Sequence, residues 1–298
     1  MKQLNYHHLQ YFWRVVREGG VSAASRRLSV SQPTISSQVR ALERQVGGRL
    51  FERVGRKLAL TETGRRVYRY ANEIFALGHE LMDALNERAP DTTVRVSIGV
   101  ADVLPKLLAF RMIRPALELP EPVTVSCHES TPADLLARLA VFDLDVVLSD
   151  SPIGPEVRVA AFNHLLGESA LGWFAARSLA SRCRKEFPRS LNGAKVLLQM
   201  EGCATRRSVD RWCELHDVRP TIAGEFDDSS LMKVFAQEGH GLFAAPVVIA
   251  KELSSQFDVR LIGEMRGVRQ PYYAISAERT LKHPAVLAIT ESARNRIF

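Results

Sequence analysis

Between Ser31 and Val46 the run SQPTISSQVRALERQV holds short hydroxyls and guanidinium groups at positions that a helix would gather on one face. Ser31 is a natural N-cap, and Pro33 is tolerated in a first turn. Ile35, Val39, Leu42 and Val46 recur at i, i+4, i+7 and i+11, which makes an apolar stripe. At about 100° per residue the opposite face carries Pro33, Ser37, Arg40 and Arg44, flanked by Thr34 and Ser36. Small polar groups at a helix N-terminus can enter a major groove, and arginine forks pair with phosphate or a guanine edge. The chemistry on offer is recognition of a polyanion.

The neighbouring segments would hold such a helix in place. Leu9, Phe12, Trp13 and Val16 recur at helical spacing and stop at Gly19-Gly20. A short helix is expected from Ser22 to Leu28, where Ala23-Ala24 lets another helix cross closely, and Ser29-Val30 turns tightly into Ser31, giving helix-turn-helix spacing. After Gly47-Gly48, the stretch 50–53, a basic tip 54–57 and the return 58–61 read as a wing. Arg53, Arg56 and Lys57 would lie against a sugar-phosphate backbone and supply salt-sensitive affinity. A long helix then runs towards Ala89-Pro90, with Val67, Ala71, Ile74, Leu77, Leu81 and Leu85 near heptad spacing. About 27 residues make a rod roughly 40 Å long. Its narrow stripe suits a second copy of the chain, the alternative being the chain's own C-terminal part.

Charge is distributed to match. Residues 1–90 hold 15 Lys+Arg against 8 Asp+Glu, while residues 91–298 hold 25 of each, so the formal +7 of the chain sits wholly in the first third. A length of 298 residues predicts two or three domains. The longest apolar stretch, 241–250, is broken by Pro246 and is roughly half of a membrane span, so neither a membrane span nor a signal peptide is expected. Cys127, Cys183, Cys203 and Cys213 are too scattered for a zinc knot or a disulfide framework and read as reduced thiols. No cofactor is expected. The GxSxG, P-loop, HExxH and GxGxxG signatures are absent, which argues against an enzyme.

The run from Leu4 to Gly64 resembles the DNA-binding domain of the LysR-type transcriptional regulators. Ala23-Ala24, Leu28, Ser31-Gln32-Pro33, Ser36, Leu42-Glu43, Gly47, Leu50-Phe51, Arg53, Leu60-Thr61 and Gly64 carry the likeness. Gly20 departs from the serine more usual there, leaving Ser22 to touch phosphate. The resemblance implies a cytoplasmic regulator that binds double-stranded operator DNA as a homodimer, or a homotetramer built from it, and contacts RNA polymerase. It divides the chain into a winged helix-turn-helix (4–61), a linker helix (62–90) and an effector module (91–298) of periplasmic-binding-protein type. That module would hold one subdomain of residues 91–162 with 268–298 and another of residues 163–267.

After Pro90, strands alternate with helices, which predicts a parallel α/β sheet. Ligands collect beyond the carboxyl ends of such strands. The residues expected there are Ala101-Asp102, Glu129-Ser130-Thr131 and Ser149-Asp150, with Glu201 and Asp227-Asp228-Ser229 across a hinge. This rim reads as acidic and suited to a hard cation, the alternative being that Asp102 and Asp228 cap helices and Asp150 forms a turn. No firm metal site is read from it. The runs LNYHHLQYFWRVVREG, DVVLSDSPI, GEFDDSSLMKVFAQ and YYAISAERTLKHPAV resemble a branch of the family that activates sodium/proton antiporter genes. That likeness implies sodium as effector; a small organic metabolite is the alternative, and an enzyme with an appended DNA-binding domain a remote one.

Overall fold

The computed structural model describes residues 4–54, 57–85, 93–154 and 161–298. They form two compact units, Met1–Thr92 with Val141–Asp143, and Thr93–Ala140 with Leu144–Phe298.

The first unit runs α1 (Tyr6–Arg17), α2 (Val21–Leu28), α3 (Gln32–Val46), β1 (Phe51–Val54), β2 (Lys57–Leu60) and α4 (Glu62–Leu85). Asn5 caps α1 by accepting the N–H groups of His7 and His8. Ser29 ends α2 and Gly47 ends α3, both in the left-handed region that closes a last turn. Leu9, Phe12, Ala24, Ile35, Leu42, Leu50 and Ala71 are sealed from solvent in one core. Ala24 has too little bulk to hold α1 and α3 apart, so three short helices share that core. β1 and β2 pair antiparallel from Phe51↔Leu60 to Val54↔Lys57. Thr61 then caps α4, its hydroxyl oxygen accepting Gly64 N–H at 2.9 Å while its own N–H reaches Leu50 O.

The second unit comprises β3 (Val94–Ala101), α5 (Lys106–Leu117), β4 (Val123–Ser130), α6 (Pro132–Ala140), β5 (Val146–Ser149), β6 (Phe162–Ala176), α7 (Arg177–Lys185), β7 (Lys195–Gln199), α8 (Ala204–Leu215), β8 (Thr221–Phe226), α9 (Ser229–Gln237), β9 (Phe243–Pro246), α10 (Ala250–Phe257), β10 (Val259–Ser276) and α11 (Pro284–Ser292). Six strands lie in the order β4-β3-β5-β10-β6-β9, and β7 pairs with β8. β3 is parallel to β4 and β5, as alternation with helices requires. The sheet as a whole is mixed, which corrects the parallel expectation, because β10 runs antiparallel to both β5 and β6, and β6 antiparallel to β9. β6 and β10, of 15 and 18 residues, pair from Val259↔Ala176 to Ser276↔Phe162. Strand alternation places Phe174 in one apolar cluster with Phe243 and Tyr272, and Trp173 and Ala175 in a second with Trp212 and Leu198. The long strand pair thus contributes to two cores.

Candidate functional site

On α3 the structure separates the two faces that the spacing separates. Ile35 and Leu42 are fully buried and Val39 nearly so, whereas Gln32, Pro33, Ser37, Arg40 and Arg44 are exposed and Thr34 and Ser36 half-buried. Ser31 caps the helix, accepting Thr34 N–H at 3.2 Å. Ser22 donates to Gln32 Oε1 at 3.2 Å and so ties the start of α2 to the first turn of α3. Among the described residues the Gln32 amide N–H₂ makes no other hydrogen bond and can donate outward. Gln32, Pro33, Ser36, Ser37 and Arg40, with Ser25, line a groove of about 680 Å³. The expected list omits Ser25, although it lies on the α2 face turned towards α3, where its hydroxyl donates to Val30 O. Ser37 donates back to Thr34 O at 2.8 Å, so outward it offers an acceptor. Arg53 is exposed on β1. Arg56 lies outside the described residues; Lys57 opens β2, and its side chain also falls outside them.

The α4 stripe divides in two. Ala71 is wholly buried in the core of its own unit, and Val67 and Ile74 pack partly against that core. Phe75 of α4 also packs against Trp13 of α1, with ring centroids 4.9 Å apart and the rings tilted by 42°. Ala71 is therefore not available to a second copy, a correction to the reading of the whole stripe as an interface: α1 crosses α4 there and takes its apolar side. Beyond it Leu77 and Leu81 are 66% and 58% exposed, with Met82 beside them at 56%. The Leu85 side chain lies outside the described residues.

In the second unit the carboxyl ends of β4, β3 and β5 lie side by side, with Ala101 opposite Ser130 and Val100 beside Leu148. This brings Ala101, Asp102, Glu129, Ser130, Ser149 and Asp150 to one edge. Glu129 and Ser130 are the last residues of β4 itself, one step earlier than expected. Glu201 and Asp227 follow β7 and β8, whose ends pair as Gln199↔Phe226. Asp150 is buried, accepting from Ser151 Oγ at 3.1 Å and from Gln270 Nε2 at 3.0 Å. Gln270, also buried, accepts from Thr205 Oγ1 at 3.1 Å, so this chain of bonds joins the end of β5, β10 and the first turn of α8. Burial holds the Asp150 carboxyl above its ordinary range, against the opposing pull of these bonds and of Arg207.

The rim is of mixed charge, not acidic, which corrects the expectation. Lys106, the first residue of α5, pairs with Glu129, and Lys233 of α9 lies 97% out of solvent beside Ser229. The expected carboxylates are moreover committed individually. Asp102 accepts the N–H of Val103, and Asp228 is the N-cap of α9, accepting Ser230 N–H at 2.7 Å, a bond that holds its carboxyl below the usual range. Ser130 and Thr131 hydroxyls donate to Asp134 at the start of α6. Among the described residues no three His, Cys, Asp or Glu side chains gather as a metal would need. The sequence list missed Lys106, Thr205, Arg207, Lys233 and Gln270. A lysine between Met232 and Val234, one turn after Ser229, was the available signal for Lys233. All four cysteines are free, with Cys127 exposed and Cys183 and Cys213 buried, and among the described residues no helix is long and apolar enough to cross a membrane.

Residues 6–65 match the family model of the bacterial regulatory helix-turn-helix protein, lysR family, and residues 91–297 the LysR substrate binding domain. The transcriptional activator protein NhaR of Escherichia coli (strain K12) is 35% identical over 298 residues, covering 100% of this chain and 98% of that protein. The RuBisCO operon transcriptional regulator of Allochromatium vinosum is 27% identical, covering 95% of this chain and 93% of that protein. Among solved structures, ArgP from Mycobacterium tuberculosis superposes with a TM-score of 0.64 at 18% identity over 98% of this chain and 97% of that one. Full-length CbnR complexed with its target DNA gives 0.53 at 22%, covering 99% of this chain and all of the other.

Proposed function

The chain belongs to the LysR family of bacterial helix-turn-helix transcriptional regulators, and from that premise we propose that it is an activator that reads operator DNA as a dimer and answers a small effector. The family is one of regulators and not of enzymes. The observation that carries DNA reading is the two-sided α3: a buried stripe of Ile35, Val39 and Leu42 behind an exposed Gln32, Pro33, Ser37 and Arg40. Ser22, Ser31, Thr34, Ser36 and Arg44 complete the contact set, with Arg53, Arg56 and Lys57 of the wing on phosphate. Leu77 and Leu81 of α4, with Leu85, supply the dimer seam, a homotetramer being a further step, and RNA polymerase is the downstream partner. The domain limits 4–61, 62–90 and 91–298 follow from this reading, the last split into 91–162 with 268–298 and 163–267. Selection of binding sites from random DNA by the full chain, followed by footprinting, tests it. Enrichment of one inverted repeat is expected, and binding without sequence preference would refute it.

An effector acts only by binding two states unequally, and the bonds from Asp150 through Gln270 to Thr205 are the kind of contact that closure would remake. The resemblance to activators of sodium/proton antiporter genes supports sodium as signal and such a gene as target. Asp102→Asn, Asp150→Asn and Asp228→Asn test that reading, because each removes charge with little change of shape. Loss of a sodium response with operator binding intact is expected, and an unchanged response in all three would refute sodium binding in the cleft. The second reading, a small organic metabolite, is favoured by the lysines, since Lys106 and Lys233 stand in the rim where a cation would bind.

A further inference from the structure

Residues 177–195 hold six Lys and Arg against one acid, Glu186, although residues 91–298 as a whole are balanced. A local excess of one sign repels itself unless something answers it. Part of the answer is internal: Arg184 donates to Leu261 O, as elsewhere in the unit Arg206, Arg219 and Arg260 each face a carboxylate. The remainder converges on a cavity. α7 buries Ala180 and Cys183 and leaves Arg182, Lys185 and Glu186 exposed. A space of about 820 Å³ lies between this helix and the turns 192–195 and 239–242, and Arg182, Lys185, Glu186 and Lys195 line it.

The two turns are fixed against each other. Leu242 N–H donates to Lys195 O at 2.9 Å, and Leu197 N–H to Leu242 O at 2.7 Å. A Cβ on Gly241 would stand 3.0 Å from that same Lys195 oxygen, so glycine lets the turns close. Cations in the last turn of α7 answer the negative end of a helix, which accounts in part for Arg182 and Lys185. It does not account for Lys195, which comes from another element. Among the described residues none of these three side chains makes an ion pair or a hydrogen bond. Lys195 opens β7, so the cavity sits at the amino end of that strand, whereas the cleft rim lies beyond its other end at Gln199.

We propose that this cavity is a second ligand site, separate from the cleft, and that it takes a small phosphorylated, hydroxyl-bearing metabolite. Arg182, Lys185 and Lys195 less Glu186 leave a charge of +2 around the space. A phosphate monoester carries roughly −1.5 to −2 near pH 7 and offers three strong acceptor oxygens, so it answers that charge where a single carboxylate answers half of it. The Arg182 fork takes two oxygens at once, and the two ammonium groups act as point donors. Glu186 repels the phosphoryl group but accepts from a hydroxyl, which places the hydroxylated part of the ligand beside it. The volume falls within the roughly 300 to 1,000 Å³ of small-molecule sites. The proposal does not depend on what the cleft binds.

The test is calorimetric titration of the full chain with glycerol 3-phosphate at pH 7 and about 0.15 M ionic strength. Lactate serves as the singly charged comparison, glycerol as the uncharged one and inorganic phosphate as the group alone. Saturable binding of glycerol 3-phosphate is expected, with lactate weaker by about tenfold or more and glycerol silent. Lys195→Gln and Arg182→Gln each weaken glycerol 3-phosphate by about tenfold. Both positions are exposed, and an unshifted melting curve shows that each variant folds. Glu186→Gln removes the advantage of glycerol 3-phosphate over inorganic phosphate, because the hydroxyl loses its charged acceptor, while inorganic phosphate binds as well or better.

Two controls locate the anion. Arg53→Ala on the wing and Lys106→Gln in the cleft rim are expected to leave the titration unchanged. Binding lost in Arg53→Ala but kept in Lys195→Gln would put the phosphate on the DNA-reading surface, and binding lost only in Lys106→Gln would put it in the cleft; either overturns the proposal. Equal affinity for lactate and glycerol 3-phosphate would refute the phosphoryl class. No heat from glycerol 3-phosphate up to about 10 mM would refute the site, a free energy of binding then being weaker than about 3 kcal/mol. Polyglutamate bound by the parent and released by Lys195→Gln, with glycerol 3-phosphate silent, would make the space a docking groove for an acidic protein and equally overturn it.

Discussion

Gln270 Nε2 lies 3.0 Å from Asp150 Oδ2, across 120 residues of chain, and both side chains are buried. The bond fastens the end of β5 to the middle of β10, and Thr205 extends it to α8 by donating to the same glutamine at 3.1 Å. The glutamine serves both neighbours, so its removal takes a donor from Asp150, which keeps Ser151, and the acceptor from Thr205. Gln270→Ala is expected to cost about 1 to 3 kcal/mol, because the buried carboxylate loses one of its donors and the half-buried Thr205 hydroxyl its acceptor, measured by denaturant unfolding.

Asp150 itself gives a pH prediction. Burial raises its pKa above 3.8, so between that value and the raised one the native state holds a proton that the unfolded chain has released. The native state binds more protons in that window, so stability falls as pH rises through it and remains lower above. Asp150→Asn can keep both bonds without the charge. It should flatten this part of the pH profile and melt no lower than the parent at pH 7; a profile unchanged by the substitution would show that the carboxyl is not the group responsible.

The DNA-facing side chains fall into two kinds with different signatures. Arg53 stands exposed on the wing, so Arg53→Ala should weaken all sequences alike and reduce the slope of log affinity against log salt by roughly 1. Gln32→Ala acts at the first turn of α3, where Ser22 orients the amide. It should relax preference at one base pair by about 1 to 3 kcal/mol with little change in salt slope. A shift of the same size on every sequence would move Gln32 to the phosphate-contact class.

On α4, Leu77 and Leu81 are the exposed part of a stripe whose first half is already used internally. Placing a carboxylate in an apolar seam leaves it unpaired. Leu77→Asp and Leu81→Asp are expected to raise the dimer dissociation constant by roughly 100-fold, equivalent to about 3 kcal/mol. Ala71→Ser, inside the unit, should lower stability and leave dimerisation alone. Sedimentation at several concentrations separates the two, and a monomeric Ala71→Ser that remains folded would reverse the assignment.

Gly64 has no room for a side chain. A Cβ there would stand 2.1 Å from the backbone oxygen of Leu50, an atom held by Thr61 N–H. Gly64→Ala must push α4 away from the strand that begins the wing, at a cost of about 3 kcal/mol or more. Far-ultraviolet melting of residues 1–92 within the full chain should reveal it; an unchanged transition would mean that α4 shifts freely.

The sequence alone determined whatever depends on local order. The stripe of Ile35, Val39 and Leu42 sets the orientation of α3 and the Ser31 cap its start, because helical period and capping act over a few residues. The tertiary structure alone decided which half of α4 stays free, since burial of Ala71 depends on α1 crossing it. It also decided the direction of the long strands: nothing within Phe162–Ala176 or Val259–Ser276 says that they pair antiparallel. β8, TIAGEF, shows too little alternation to stand out and becomes a strand because β7 lies beside it. The cleft shows the difference most sharply. Reading the residues just after each strand collects its carboxylates, but Lys106, Gln270 and Lys233 reach it from within α5, β10 and α9. Their charges and bonds meet the carboxylates only when distant segments pack together, and that meeting, not composition, sets the sign of the site.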